Sequence, residues 1–372
     1  MSKARLKVGI IFGGRSGEHA VSLMSARSVA QAVDRSKYDV TMIGISKAGH
    51  WIGGDDPLRT LEHGGQDAPG AALLGVPRHG ALMSLSPAEA RGELHLAPVT
   101  ELDVLFPLVH GTYGEDGALQ GLFELADVAY VGAGVVGSAL SMDKGIFKTV
   151  MSAAGLPVLP HLLVLRSQFE QQPEQVMAQC ESALHYPLFV KPANLGSSVG
   201  ISRADDADGL RAALVEAARW DRRLVVEQGI DAREIEVSVL GNELPQASVV
   251  GEIRPRRGFY DYIAKYVSGD SELLIPAPLS PQLTERAQAL AVEAFKAVDC
   301  AGMARVDFLL DKSSDELWLN ELNTIPGFTE ISMYPKLWAA SGVSYPELID
   351  RLIELAVERK ADRDRTEHAF EV

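Results

Sequence analysis

The chain has almost no cysteine. Cys180 and Cys300 are the only two in 372 residues, too few for a disulfide framework or a thiolate zinc site. Both read as small buried residues of a reducing compartment. A long apolar run is also missing. Nothing approaches the ~20 apolar residues of a membrane span, and the opening run Val8 to Phe12 is too short for a signal-peptide core. Positive charge is scarce: 35 Lys and Arg face 50 Asp and Glu, a net charge of −15. That balance argues against a binder of nucleic acid or anionic membrane. The glycine-rich opening lacks GxGxxG spacing, no GK[ST] follows any glycine loop, and no Ser–His–Asp order favours acyl hydrolysis. What remains is a soluble, cytoplasmic globular protein, long enough for about two or three domains.

Against these absences, the stretch Arg305 to Met333 carries the densest chemistry, RVDFLLDKSSDELWLNELNTIPGFTEISM. Two strand-like runs, Met303 to Leu310 and Glu316 to Leu322, flank the polar turn DKSSD, which predicts a hairpin. Reflection about position 314 puts Asp307 within about one residue of opposite Glu321, where cross-strand side chains meet. Glu321 and Asn323 share a face, as do Arg305 and Asp307. Two acids and an amide carbonyl are hard oxygen ligands of the kind Mg²⁺ takes together with substrate phosphates. Gly327, in the TIPGFTEIS run that follows, can bring a backbone N–H close to a bound group. Taken alone, the same pattern is also that of an ordinary hairpin with a polar face.

Strands alternate with helices over the first ~130 residues, which predicts a small parallel α/β sheet. Strands are expected at Lys7 to Phe12, Val40 to Ser46 and Val128 to Val131, with a helix from Glu18 to Val33. Lys47 to Leu96 shows no period and reads as loops and short strands. Ligands of such sheets sit beyond the carboxyl ends of the strands, where the glycine loops 13–17 and 111–117 fall and where His110 closes a strand. Glu18 either answers the dipole of its helix or binds a ligand; His110 either bonds backbone or faces a substrate. A helix with Ser141 as N-cap is expected to run to Ala154. Beyond it the pattern becomes α+β. Lys191 closes an apolar strand before the loop Gly196 to Gly200, whose N–H groups and hydroxyls suit a phosphate nest, or simply a turn. Residues 252–279 are rich in charge and aromatics with little periodicity, the mark of an active-site lid.

Lysines 144 and 191 beside a Gly/Ser loop, a lid with Lys265, and the Asp307–Glu321–Asn323 oxygen set together supply what phosphoryl transfer needs: positioning and charge neutralisation. In their order, the motifs SGEHAVSL, HGTYGEDG, SMDK, VKPANLGSSVG, FYDYIAKY, RVDF and NELNTIPGFTEISMYP resemble the D-alanine–D-alanine ligase family of the ATP-grasp fold, over roughly Lys7 to Gly342. The longer form of the family, with an extended first-domain insert, is the more similar. The resemblance implies an N-terminal α/β domain at 1–135, a central ATP-grasp subdomain at 136–227 and a C-terminal one with the lid at 228–372. It implies ATP-dependent joining of two D-alanines through an acyl phosphate, two Mg²⁺ ions with Mn²⁺ able to substitute, and a homodimer.

By resemblance, Glu18 holds the first D-alanine's ammonium and is linked through Ser197 to Tyr266, while His110 lies near that substrate's carboxylate. Lys144, Lys191 and the lid's Lys265 meet ATP phosphates, and Lys191 also reaches the adenine side. Glu227, Gln228, Gly229 and Ile230 edge the adenine, and Glu234 the ribose. Asp307, Glu321 and Asn323 carry the metals, Arg305 and the Gly327 N–H stabilise the oxyanion, and Ser332 and Met333 meet the second D-alanine. Met333 stands where many members have leucine, a swap of similar volume. Tyr266 favours dipeptide formation over the D-lactate branch. Of three rivals, a ligase for other amino acids or another carboxylate is the one for which Glu18, Tyr266 and Ser332 discriminate; a silent nucleotide-binding regulator requires a gap in the lysine or metal set, and there is none; a dinucleotide oxidoreductase fails on glycine spacing and on the lack of an acid closing the second strand.

Overall fold

The computed structural model describes residues 4–64, 69–77, 80–87, 94–255 and 271–367. Three sheets organise them. The first is built around β1 (Leu6–Gly13), whose buried run is paired on both edges. It is parallel to β2 (Tyr38–Ile45) on one side and to β7 (Val104–Pro107) on the other, and β7 is parallel to β8 (Ala129–Tyr130). A strand flanked on both edges and covered on both faces must be apolar along its length, which is why KVGIIF shows no alternation. Helix α1 (His19–Ala32) lays Ser22, Ser25, Ala26 and Val29 on this sheet. Ser22 Oγ accepts from Gly13 N (2.7 Å) and donates to Leu108 O (2.5 Å), tying the turn after β1 to the segment after β7.

The expected parallel sheet is therefore present, but it is not small. The segment read as loops continues it antiparallel through β3 (Trp51–Ile52), β4 (Gly70–Leu73), β5 (Ala81–Pro87) and β6 (Leu94–Glu101), giving eight strands among the described residues. It also holds α2 (Pro57–Glu62), capped by the Asp56 carboxylate. Period is absent there because the strands are short or, in β6, exposed on both faces. After α3 (Ala118–Leu125) come α4 (Val135–Met142) and α5 (Lys144–Ala153) in place of one continuous helix. Ser141 is buried inside α4. The cap is Asp143, extended at φ −85°, whose carboxylate accepts from the N–H groups of Gly145 and Ile146. The break makes Lys144 the first residue of α5.

The second sheet is antiparallel, in the order β11 (Ser202–Ala204), β10 (Leu188–Pro192), β12 (Arg223–Gln228), β9 (His161–Leu165). Helix α6 (Arg166–Gln171) follows β9 directly, and α7 (Pro173–Ala183) and α8 (Ala207–Trp220) pack into the sheet's own core. The third sheet is β15 (Ser271–Leu274), β14 (Gln246–Pro255), β13 (Ala232–Gly241), β16 (Gly302–Asp311), β17 (Leu317–Asn323), backed by α9 (Pro281–Ala297). Finally α10 (Met333–Ala340) and α11 (Tyr345–Arg363) return to the first sheet. Phe328, Tyr334, Trp338 and Leu348 share one core with Val8, Ile10, Phe12 and Phe106. The end of the chain thus packs on its beginning, which brings the segment after β17 against α1 and β7.

Gly13, which closes β1, is tightly enclosed by β2. Its φ is +92°, and an added Cβ would stand 2.1 Å from Ile45 O. Gly13→Ala is expected to cost about 2 kcal/mol or more, from left-handed strain plus displacement of a backbone carbonyl. Urea unfolding checks this, and an unchanged midpoint would contradict it.

Candidate active site

A cavity of about 540 Å³ lies between the second and third sheets, within the ~300–1,000 Å³ of small-molecule sites. Apolar walls from Leu159, Phe189, Ile201 and Phe308 meet charged groups from Lys144, Lys191, Glu227, Glu234, Asp307 and Glu321. Strand alternation puts Lys191 there: Leu188, Val190 and Pro192 point into the core of the second sheet, so Phe189 and Lys191 face the cavity. Gln228, Gly229 and Ile230 line the same cavity. Apolar faces for a flat ring beside cations for phosphates make a nucleotide-shaped site.

One buried carboxylate organises the cationic part. Glu227 is 1% exposed, and its two oxygens are divided between Lys148 and Lys191. Burial alone would raise its pKa, but the two ammonium groups outweigh it and hold the carboxyl down at about 2. Lys191 also reaches Asn320 Oδ1 at 3.3 Å. One turn before Lys148 on α5, Lys144 donates to Leu195 O at 2.6 Å and stands 3.9 Å from Glu321. Asp143 secures it, through its cap bonds and a 2.8 Å ion pair with Arg223.

The loop after β10 carries backbone strain. Ser197 and Ser198 have φ of 51° and 59°, sparsely populated for residues with a Cβ and typical of ligand clamps. Ser197 Oγ donates to the Glu18 carboxylate, so the Gly/Ser loop of the second sheet touches the acid that opens α1. The Ser197–Glu18 link expected from the sequence is present. Of the stretch 252–279 read as an aperiodic lid, 252–255 end β14 and 271–274 form β15, paired antiparallel, while 256–270, with Lys265 and Tyr266, lie outside the described residues.

On the third sheet the register is Glu236↔Asp307↔Glu321 across β13, β16 and β17, with Ser238↔Arg305↔Asn323 beside it. Asp307 does oppose Glu321, and a bulge follows it immediately. Arg305 binds Asp307 with two bonds of 2.7 and 2.6 Å and reaches Glu236 at 3.0 Å. The Asn323 amide nitrogen donates to Asp307 Oδ2 at 3.0 Å. Among the described residues no three His, Cys, Asp or Glu side chains gather into a metal cluster. The donor set still fits a hard cation that draws most of its ligands from phosphate and water, as Mg²⁺ does with one or two carboxylates.

The segment 324–333 is gripped from the first sheet. Ile325 N donates to Glu115 Oε1 (2.9 Å), and Gly111 N to Glu115 Oε2 (2.7 Å). His110 Nδ1 bonds Ile325 O at 2.8 Å, and its Nε2 meets Ser25 Oγ at 3.0 Å. A carbonyl only accepts, so Nδ1 carries the proton and Nε2 takes the serine hydroxyl. Burial lowers the imidazole pKa, against the pull of Glu18, which keeps the ring neutral. Ser25 Oγ also accepts from Phe328 N, and Tyr345 donates to Phe328 O. Gly327 therefore sits between two pinned residues. Ser332 Oγ is 2.7 Å from Thr329 Oγ1 at the start of α10, while Met333 is buried with Ile253 and Leu337.

The structure gathers Lys144, Lys191, Glu227, Gln228, Gly229, Ile230, Glu234, Asp307, Glu321 and Ser197 around one cavity. Glu18 and Arg305 adjoin it through their bonds to Ser197 and Asp307, whereas His110, Gly327, Ser332 and Met333 do not line it. Two groups escaped the sequence reading. Glu115, inside HGTYGEDG, is pushed up to about 8 by burial and by Glu18 nearby, against two backbone N–H bonds that lower it. Lys148 follows Lys144 by one helical turn, a spacing that puts both on one face.

Two antiparallel sheets closing on a nucleotide-sized cleft, with a strained glycine loop above an acid-lined hairpin, define an ATP-grasp type of fold. Comparison with known proteins narrows this. Residues 7–133 match the model for the D-ala D-ala ligase N-terminus, and residues 150–354 that for the D-ala D-ala ligase C-terminus. A D-alanine–D-alanine ligase of Chloroherpeton thalassium is 49% identical over 96% of this chain and 98% of its own. One of Heliobacterium modesticaldum is 49% identical over 96% of each. Among solved structures, the D-alanine-D-alanine ligase from Coxiella burnetii superposes with a TM-score of 0.78 at 36% identity, covering 97% of this chain and 98% of that one. The VanG D-Ala:D-Ser ligase from Enterococcus faecalis gives 0.82 at 34%, covering 95% and 100%. The chain belongs to the D-alanine–D-alanine ligase family.

The Glu227 geometry makes a stability prediction. A carboxyl held below its ordinary 4.5 contributes stability that is complete above that value and is lost as pH falls through about 2. Glu227→Gln leaves two buried ammonium groups uncompensated and should cost about 3–5 kcal/mol at pH 7. The gap to the unaltered protein should narrow between pH 4.5 and 2. Denaturant titrations across that range test it; a gap independent of pH would contradict the pairing.

Proposed function

We propose that this protein joins two D-alanines into D-alanyl-D-alanine at the expense of ATP, for use in peptidoglycan precursor synthesis. The observation that carries the reading is the Ser197–Glu18 bond. It joins a phosphate-type loop on the nucleotide cleft to the acid at the head of α1, on the first sheet. Family membership supports the same activity, and ATP is the family's cosubstrate.

In this reading the adenine lies along Glu227 to Ile230 and the ribose against Glu234. Lys144 and Lys191 hold the phosphates, joined by Lys265 from the lid. Asp307, Glu321 and Asn323 hold two Mg²⁺ ions, or Mn²⁺, whose chemistry is charge neutralisation on the transferred phosphoryl group. Glu18, with Ser197 and Tyr266, takes the ammonium of the first D-alanine, and neutral His110 borders its carboxylate. That carboxylate attacks the γ-phosphorus and ADP leaves. The acyl phosphate then has a leaving group the free carboxylate lacked. The amine of the second D-alanine, its carboxylate near Ser332 and Met333, attacks the carbonyl carbon. Arg305 and the Gly327 N–H meet the oxyanion that forms, a preorganised role whose loss typically costs ~3 kcal/mol of barrier. Phosphate departs as the peptide bond closes.

We propose a division at 1–135, 136–227 and 228–372, which the separation into three sheets supports. No described helix is long and apolar enough to cross a membrane, and a cytoplasmic homodimer without nucleic-acid partners completes the proposal. The test is phosphate release and product mass with ATP, Mg²⁺ and either D- or L-alanine. Phosphate and D-alanyl-D-alanine are expected from the D isomer alone, with neither when EDTA replaces Mg²⁺. Dipeptide formed only when D-serine is added would overturn the choice of second substrate. Product from L-alanine would overturn the stereochemistry.

A further inference from the structure

We propose that Lys148 is a positioning residue for the nucleotide: buried behind the cleft, it neutralises Glu227 so that the Lys191 ammonium keeps its charge for a phosphate. The inference rests on the nucleotide reading of the cleft and assigns a function to a side chain that touches no ligand.

The geometry separates the two lysines. Lys148 is 1% exposed and does not line the cavity, whereas Lys191 does. Each takes a different oxygen of Glu227. The carboxylate has one unit of charge to give, and two ammonium groups draw on it. With both present the trio is cationic by one unit, and the exposed member of the pair is Lys191. Without Lys148, Glu227 would cancel Lys191 entirely and the inner wall of the cleft would be neutral. Other nearby charges do not replace it: Lys144 faces Glu321, and Arg305 is taken by Asp307 and Glu236. In a chain of net charge −15, an anionic ligand depends on such local cations. A buried lysine costs several kcal/mol in desolvation, and α5 carries that cost at a position where an apolar residue would pack the core.

The chemistry fits a polyphosphate and not merely an adenine. Removing one charge near the phosphates should weaken binding in proportion to ligand charge, while a loosened cleft should weaken every ligand alike. Calorimetry on Lys148→Met with adenosine and with ATP, Mg²⁺ present, separates these. The ATP Kd should rise about tenfold or more while the adenosine Kd stays within about twofold. Equal weakening of both, or of neither, would overturn the proposal. Lys148→Met with Glu227→Gln removes both buried charges and leaves Lys191 unopposed, so its ATP-to-adenosine affinity ratio should return to within about twofold of the unaltered protein. Should the single variant fail to fold, Lys148→Gln is titrated in its place, and an unchanged ATP-to-adenosine affinity ratio there would overturn the assignment. If the unaltered protein binds no ATP, the nucleotide reading falls as well; an unchanged ratio in the single variant alone would sink only the role of Lys148.

Discussion

A carboxylate with no access to water has to be answered by charge, and at Glu227 two lysines answer it. That requirement fixes more than a local ion pair. It sets the rotation of α5 against the second sheet, because Lys148 must reach inward. It sets the edge of β10, because Lys191 must reach Glu227 diagonally across the ladder. Lys144, one turn earlier, is then directed to Leu195 O at the start of the glycine loop. Replacing such a trio with apolar residues would often be neutral for stability. Its retention at a cleft makes sense as a way to present cations to an anionic ligand.

The second constraint is that the site belongs to no single sheet. The Gly/Ser loop leaves the second sheet and reaches Glu18 on the first. The segment after β17 leaves the third and is held by Glu115, His110 and Ser25 on the first. A core running from Val8 to Ile353 keeps those surfaces together. The described groups at the site, Lys191, Glu227, Asp307 and Arg305, thus come from elements whose own packing holds them, which is how preorganised donors avoid reorganisation at the moment of reaction.

Much of this was legible in the residues. The hairpin register was, since a polar turn between apolar runs admits few pairings, and Asp307 faces Glu321 as reflection predicts. Other features had no local signal. Glu115 bonds Ile325 across 210 residues, and a glycine loop has no period to mark it. Lys148 looks like any helix lysine until Glu227 is opposite it. Asp143 was hidden because one apolar-periodic run spans both helices, and only its extended backbone and its carboxylate's bonds reveal the cap. The role of β3 to β6 as an antiparallel extension could not be read from strands this short and this exposed.

The central claim is that a carboxylate of the first D-alanine takes the γ-phosphoryl group before the peptide bond forms. It leaves an isotopic mark. D-Alanine labelled with ¹⁸O in its carboxylate should be incubated with ATP and Mg²⁺ in ordinary water, and the mass of the released phosphate measured. Phosphate carrying one ¹⁸O atom, at one per dipeptide formed, is the predicted result. Dipeptide accompanied by unlabelled phosphate would contradict the acyl phosphate and the account of the site built on it.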